Sequence, residues 1–451
     1  MVGSFPHSLG SGHELLARVH VRAEKQLTDD ERWAAAGPMT VSPGRRILIV
    51  CPEAPSPPDG GFNLRVYHLA TQLARRNRVT LLAYGAADDG RDWDGLARTL
   101  EGVHRVPPPA IRAAGHQLGA LRRRRRQLAS LVRRSSFHLN VLRSESMQAA
   151  IDGLVRTAGF DIIQVESSGM MCFDYLGDAP VVLDEHNIEY DLLSRVAEVE
   201  TSPLRRLFGR LEATKARREE LRAWKVVDGC VATSVVDESV IRSACPAVRT
   251  AVVPNAVDTD WFTPGTAPVD QDSMVFVGRM DYRPNVDAVT WFALHVLPRV
   301  RRVRPSATLT VVGDGAPPSV RRLAGHGVVL TGRVEDVRPF VHHAGVVVAP
   351  LRAGSGTRLK VLEALSMAKA LVSTPVGVEG IDVTAGEHLL LADDPDEMAD
   401  KILVLMSDPV LRARIGALGR TLVVERYGWT AAVARLEAFH GEVVRSAVGS
   451  D

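Results

Sequence analysis

Apolar and polar positions along the chain follow two alternating rhythms. Short, continuous apolar runs of the kind buried on both faces of a parallel sheet occur at residues 47–51, 79–83, 161–165, 181–183, 229–232 and 250–253. A second series follows at 274–277, 308–312, 328–330, 346–349, 370–373 and 388–391. Helical spacing fills the gaps, for example over 63–76, 285–303 and 334–344. This alternation predicts parallel sheets wrapped by helices. A stretch rich in Pro, Gly, Asp and Thr at 254–272 separates the two series. The expected fold is α/β, with two doubly wound domains facing each other across a cleft. Ligands in such sheets bind outside the carboxyl ends of the strands, so one cleft would gather two sets of strand-end loops. That suits a reaction joining two substrates.

Composition agrees with this picture. The 451 residues allow two domains, each with a core, and 45% hydrophobic with 24% charged residues is ordinary for a globular protein. A net charge of +2 gives no whole-molecule field to attract nucleic acid. No apolar run approaches the roughly 18 residues needed to cross a bilayer, and the N-terminus lacks an apolar signal core. Cys51, Cys172, Cys230 and Cys245 have no metal-type spacing, and the first three sit in apolar surroundings as buried thiols, which fits a reducing cytoplasm. The expected divisions are a mobile extension at 1–44, a first domain at 45–254, a second at 255–425, and a terminal helix and tail at 426–451.

One segment carries the clearest chemistry. The strand ending at Ala349 runs into a turn containing Gly354, Ser355 and Gly356, and an amphipathic helix starts near Thr357. Such a turn aims unpaired backbone N–H groups at one spot, with the positive end of the helix behind them, which makes an anion site. Glu363 lies further along that helix, where a carboxylate can accept hydrogen bonds from sugar hydroxyls. The plain alternative is a strand-turn-helix with a surface glutamate. Arg358 and Lys360 in the first turn oppose the helix dipole, at a cost of about 0.3–1 kcal/mol each, unless they bind an anion or snorkel to water.

Two basic stretches stand apart. Five consecutive arginines occupy 122–126 beside leucines at helical spacing, without acidic neighbours; they face either solvent or an anionic surface such as lipid headgroups or a phosphate-bearing acceptor. Residues 203–225 form a second basic helix, but interleaved Glu212, Glu219 and Glu220 favour an ordinary solvated face there.

Five motifs occur in a telling order. They are Val253-Pro254-Asn255 with Val257-Asp258, Gly278-Arg279-Met280, Gly313-Asp314-Gly315, Gly332-Arg333-Val334 and Leu362-Glu363-Ala364. Together they resemble family 4 of the GT-B glycosyltransferases, over most of residues 45–440. Gly354 to Glu363 and Gly278 to Asn285 are similar to a bacterial branch linked to exopolysaccharide and cell-envelope sugars.

The resemblance implies a retaining transfer of a sugar from a nucleotide-diphosphate donor to a glycan, lipid-linked or small-molecule acceptor. It implies no cofactor and no metal. The donor would lie mainly on the second domain, and preorganised cations and N–H dipoles would stabilise the leaving diphosphate. By the same resemblance, His186 contacts the donor sugar, Arg279 the pyrophosphate and Glu363 the ribose. Gly60 and Gly61 approach a phosphate or the sugar, or form a simple turn. Gly332 and Val334 approach the base through backbone groups, Thr357 and Gly356 belong to the phosphate turn, and Glu379 contacts the sugar or caps a turn. Asn187 and Glu189 would be acceptor-side neighbours. Tyr427, Trp429 and Phe439 would anchor a terminal helix returning to the first domain.

Two departures matter. The family's lysine after the arginine is missing around Arg283, leaving Arg358 or Lys360 as replacements. The first of two glutamates with seven residues between them is Ser355 here, which supplies no carboxylate. A catalytically weak or inactive binding protein of the same fold is therefore the competing reading. The expected location is cytoplasmic, with peripheral contact at the inner face of the membrane.

Overall fold

The structure, a computed structural model, describes residues 44–58, 60–86, 89–109, 135–198, 200, 202–266, 268–353 and 357–448. The expected extension up to residue 43, the arginines at 122–126, and Gly354, Ser355 and Gly356 lie outside these residues. The first sheet contains β1 (Arg46–Cys51), β2 (Arg78–Tyr84), β3 (Gly102–Val106), β4 (Ile162–Glu166), β5 (Val181–Glu185), β6 (Gly229–Ala232) and β7 (Arg249–Val252). Its order is β3-β2-β1-β4-β5-β6-β7, with every neighbouring pair parallel. The second contains β8 (Asp270–Val277), β9 (Thr308–Val312), β10 (Val328–Gly332), β11 (Ala344–Ala349), β12 (Leu371–Ser373) and β13 (Leu390–Leu391). Its order is β10-β9-β8-β11-β12-β13, again parallel throughout.

The chain is thus built from two Rossmann-like α/β halves, as the alternating apolar runs predict. Strand order reverses between β1 and β4, and again between β8 and β11. Crevices form at such switch points, and the segments carrying Gly60, Gly61 and Arg279 follow β1 and β8 there. The apolar runs are apolar because both faces are covered: Ile47 to Cys51 are all buried.

Three local differences from expectation have clear causes. β3 escapes the apolar-run test because it is an edge strand whose His104 and Arg105 are exposed. The helix expected over 285–303 is broken into Arg283–Trp291, a wider π-type turn at Phe292–Val296, and Leu297–Val303. Pro298 has no N–H to donate back, so the preceding turn widens. The helix expected over 334–344 shrinks to Arg338–His343, with Pro339 near its start.

The helix Trp429–Val448 packs on the first sheet, with Trp429, Leu436 and Phe439 in one core with Ile47, Val66 and Leu69. Tyr427, Trp429 and Phe439 are buried packing residues. Among the described residues no helix is long and apolar enough to cross a membrane.

His440 on this helix is fully buried, and neither ring nitrogen has a hydrogen-bond partner among the described residues. Burial, then Arg45, pushes its pKa down to about 3, with Asp184 opposing weakly. The unfolded chain binds a proton at this residue between pH 6.5 and about 3, whereas the native state does not. Stability is therefore lost as pH falls through that window, on the order of 4 kcal/mol by pH 3.5 from this residue. His440→Leu should flatten the acid limb of a urea-denaturation series. An unchanged limb would mean that His440 does not control acid lability.

Candidate functional site

β11 is buried along its whole length, and Thr357, Arg358 and the helix Leu359–Ser366 follow it in the chain. The helix buries Val361, Leu362 and Leu365, which leaves its first turn at the cleft. Lys360 is drawn inward. Its Nζ donates to Asn285 Oδ1 at 2.6 Å and lies 4.2 Å from the centre of the Phe276 ring. Asn285 donates in turn to the Arg279 carbonyl at 2.8 Å, so Lys360 is tied to the loop after β8. Gly278 is required there: a Cβ would lie 2.7 Å from Lys360 Nζ and 2.8 Å from Asn285 Nδ2. Burial, then Arg358, pulls the Lys360 ammonium down to about 7.

Glu363 sits one turn further on and lines an apolar pocket with Lys360, Phe262, Val277, Val341 and Met367. Burial raises its carboxyl to about 7, against the pull of Lys360. A cation and a carboxylate thus stand one turn apart on the helix, each with its charge disfavoured by burial. Arg279 follows β8 as expected but is largely exposed, and its guanidinium bonds Asp281 at 2.6 and 3.1 Å. Gly332 ends β10, and its carbonyl accepts from Gly313 N–H at 3.2 Å; Val334 packs against the core beneath.

On the first half, Gly60 caps the helix Gly61–Leu73 with φ of +91°, a conformation that favours glycine. Gly61 abuts the second half, since a Cβ there would meet Leu359 Cδ1 at 3.4 Å. His186, just after β5, is buried and stacks on Phe62 at 4.4 Å between ring centres. Its Nε2 is 2.7 Å from Glu166 Oε2, and Gln164 donates to the other Glu166 oxygen at 2.6 Å. Burial, then Asp184, pushes the Glu166 carboxyl up. Asp184 is bonded by Arg65 Nε and Nη2 at 3.0 and 2.9 Å. Glu166, Asp184 and His186 offer ligand atoms within 4.8 Å of one another, but each carboxylate already has its counter-charge or donors inside the protein. The cluster reads as a hydrogen-bond chain that fixes His186. Asn187 and Glu189 follow, and Glu189 donates its N–H to Glu220 at 2.6 Å.

The halves also meet through side chains. Both oxygens of Glu379 accept from Arg195, at 2.6 and 3.0 Å, and Arg358 lies 4.0 Å away. Arg283 pairs with Glu200 at 2.5 Å, so it is turned away from the donor side. Thr357 Oγ1 donates to the Thr233 carbonyl at 3.2 Å. Arg358 is buried, and burial holds its guanidinium below the usual arginine range, opposed by Tyr282 and Glu379.

Of the two candidates to replace the missing lysine, Lys360 reaches the loop of Arg279 and Arg358 reaches Glu379. Neither snorkels to water. Sequence reasoning missed Arg195, Glu200, Asn285 and Glu166. Asn285 closes the stretch from Gly278 to Asn285, and the polar pair Gln164 and Glu166 at the end of an apolar strand was a readable signal. The ion pairs across the cleft left none.

Residues 271–408 match the family described as "Glycosyl transferases group 1", and residues 59–261 match "Glycosyltransferase Family 4". The chain is glycosyltransferase family 4-like, with a GT-B fold. It is 28% identical over 206 residues to a phosphatidyl-myo-inositol mannosyltransferase of Mycobacterium leprae, covering 43% of this chain and 54% of that one. It is 27% identical over 198 residues to a GDP-mannose-dependent monoacylated alpha-(1-6)-phosphatidylinositol monomannoside mannosyltransferase of Corynebacterium glutamicum, covering 39% and 52%. The chain thus spans about half the length of these relatives. Among solved structures, sucrose-phosphate synthase from Thermosynechococcus elongatus shares the fold with a TM-score of 0.66 at 17% identity, over 89% of this chain and 100% of that one.

Proposed function

We propose that this protein is a retaining, metal-independent glycosyltransferase that takes a sugar from a nucleotide diphosphate. The observation that carries the reading is Lys360, held by Asn285 under Gly278 at the end of β8, on the same helix as Glu363. A diphosphate at the N-terminus of this helix meets its N–H dipoles, Lys360 and Arg279. The ribose falls near Glu363 and the transferred sugar near His186. Charge growing on the leaving diphosphate is met by groups already oriented, which is where electrostatic catalysis is strongest. Ser355 stands where the first of the family's two glutamates is expected, so either the sugar's hydroxyls are held differently here or the donor sugar differs. Relatives named for phosphatidylinositol acceptors support a lipid-linked acceptor, and the exopolysaccharide-like motifs support work at the cytoplasmic face of the cell envelope.

A panel of nucleoside diphosphates and nucleotide sugars tests the reading by thermal unfolding. The matching nucleotide, at about 100 times its dissociation constant, should add roughly 2.7 kcal/mol. Turnover of a labelled nucleotide sugar then separates an enzyme from a binding protein. Stabilisation without turnover would favour the inactive relative, and no stabilisation by any nucleotide would remove the donor site.

A further inference from the structure

The helix Pro203–Val226 is built inside out. Its inward face carries Ala213, Ala216, Ala223 and the three glutamates, and each glutamate has a fixed partner. Glu212 accepts from the Phe137 N–H at 2.6 Å and pairs with Lys215 at 3.0 Å. Glu219 accepts from the Ser136 N–H at 2.7 Å. Glu220 accepts from the N–H groups of Glu189 and Tyr190 at 2.6 and 2.9 Å. These carboxylates satisfy the first N–H groups of the helices Phe137–Leu142 and Glu189–Glu198, which have few other partners. They are therefore not available to neutralise the helix's arginines.

What remains outside is leucine and arginine. Leu204, Leu207 and Leu211 are 80%, 57% and 42% exposed, and spacings of three and four residues put them on one face. The same face continues through Arg218, Arg222 and Lys225, all exposed, with Arg210 and Arg217 along one border. No carboxylate of this helix is exposed. Water is a poor partner for the leucines, and nothing on the helix balances the cations.

We infer that this face is a docking surface for an anionic lipid bilayer. The leucines enter the boundary between headgroups and acyl chains while the arginines meet lipid phosphates. A soluble polyanion would leave the leucines in water. A second copy docked through the same face would bring no exposed carboxylate of this helix to the arginines. The inference does not depend on donor chemistry.

Sedimentation of the full chain with vesicles tests it. Wild type should bind phosphatidylcholine–phosphatidylglycerol vesicles, bind pure phosphatidylcholine poorly, and release as salt rises. Exchanging Arg210, Arg218, Arg222 and Lys225 for Gln should weaken binding by well over tenfold, at about fivefold per cation, and flatten the salt dependence. Exchanging Leu204, Leu207 and Leu211 for Ser should weaken binding about tenfold or more at every salt concentration. Thermal unfolding and nucleoside-diphosphate binding should stay at wild-type values in both variants, because the changed side chains are exposed. Wild type that ignores anionic vesicles overturns the inference. So do variants that bind like wild type, which would move the contact to another surface. So does a wild-type dimer that the leucine variant disperses.

Discussion

Lys360→Met is expected to lower nucleoside-diphosphate affinity and turnover about 100-fold or more, the scale for losing one charge-stabilising donor, while leaving the fold at least as stable. Methionine keeps the length and apolar stem of lysine, so the contact with Phe276 survives. The charge does not, and burial has already made that charge costly, since Lys360 is drawn down to about 7. The cost of keeping the ammonium is greatest below that value and disappears at high pH. Removing it relieves the native state, so loss of function cannot be ascribed to unfolding. The same shift predicts a pH dependence. Affinity of the free protein for pyrophosphate should fall as pH rises through about 7, and the Met variant should keep only the smaller fall that ionisation of Glu363 causes. Calorimetric titration of both proteins across pH decides it. Wild-type affinity in Lys360→Met would take the residue out of the donor site and leave Arg279 as the principal cation.

Asp184→Ala is expected to cost about 3–5 kcal/mol of stability, because it strands a buried guanidinium. Arg65 and Asp184 are 1% and 0% exposed and share two hydrogen bonds. Arg65 also donates to the Val253 carbonyl at 2.9 Å and Asn255 Oδ1 at 3.2 Å, so one side chain ties the first sheet to the connection leading into the second. Replacing both partners with apolar residues, Arg65→Met with Asp184→Leu, should destabilise far less than the sum of the single changes. Urea denaturation of the four proteins measures the coupling. Additive losses would show that the pair is not an interacting unit.

Much of the architecture was legible because buried parallel strands must be apolar on both faces. β1, β6, β9 and β11 announce themselves in this way. β3 does not, since an edge strand keeps one side in water. Capping is local: the Asp394 side chain accepts from the N–H groups of Asp396 and Glu397, two and three residues on. Lys360 was only half legible. Its position against the helix dipole signalled a purpose, but its partner Asn285 lies 75 residues away.

Sequence alone determined the two-sheet α/β plan, the helix that follows β11 and the place of Glu363 on it. These depend on local spacing and on the one-sided burial of helices and strands. Tertiary structure decided which way long polar side chains turn. It sent Lys360 under Gly278, gave Glu379 to Arg195 and Arg283 to Glu200, and turned Glu212, Glu219 and Glu220 inward to leave an arginine and leucine face. The physical reason is that a charged side chain goes where its counter-charge or unpaired N–H groups lie. Those partners come from distant parts of the chain and become neighbours only on folding.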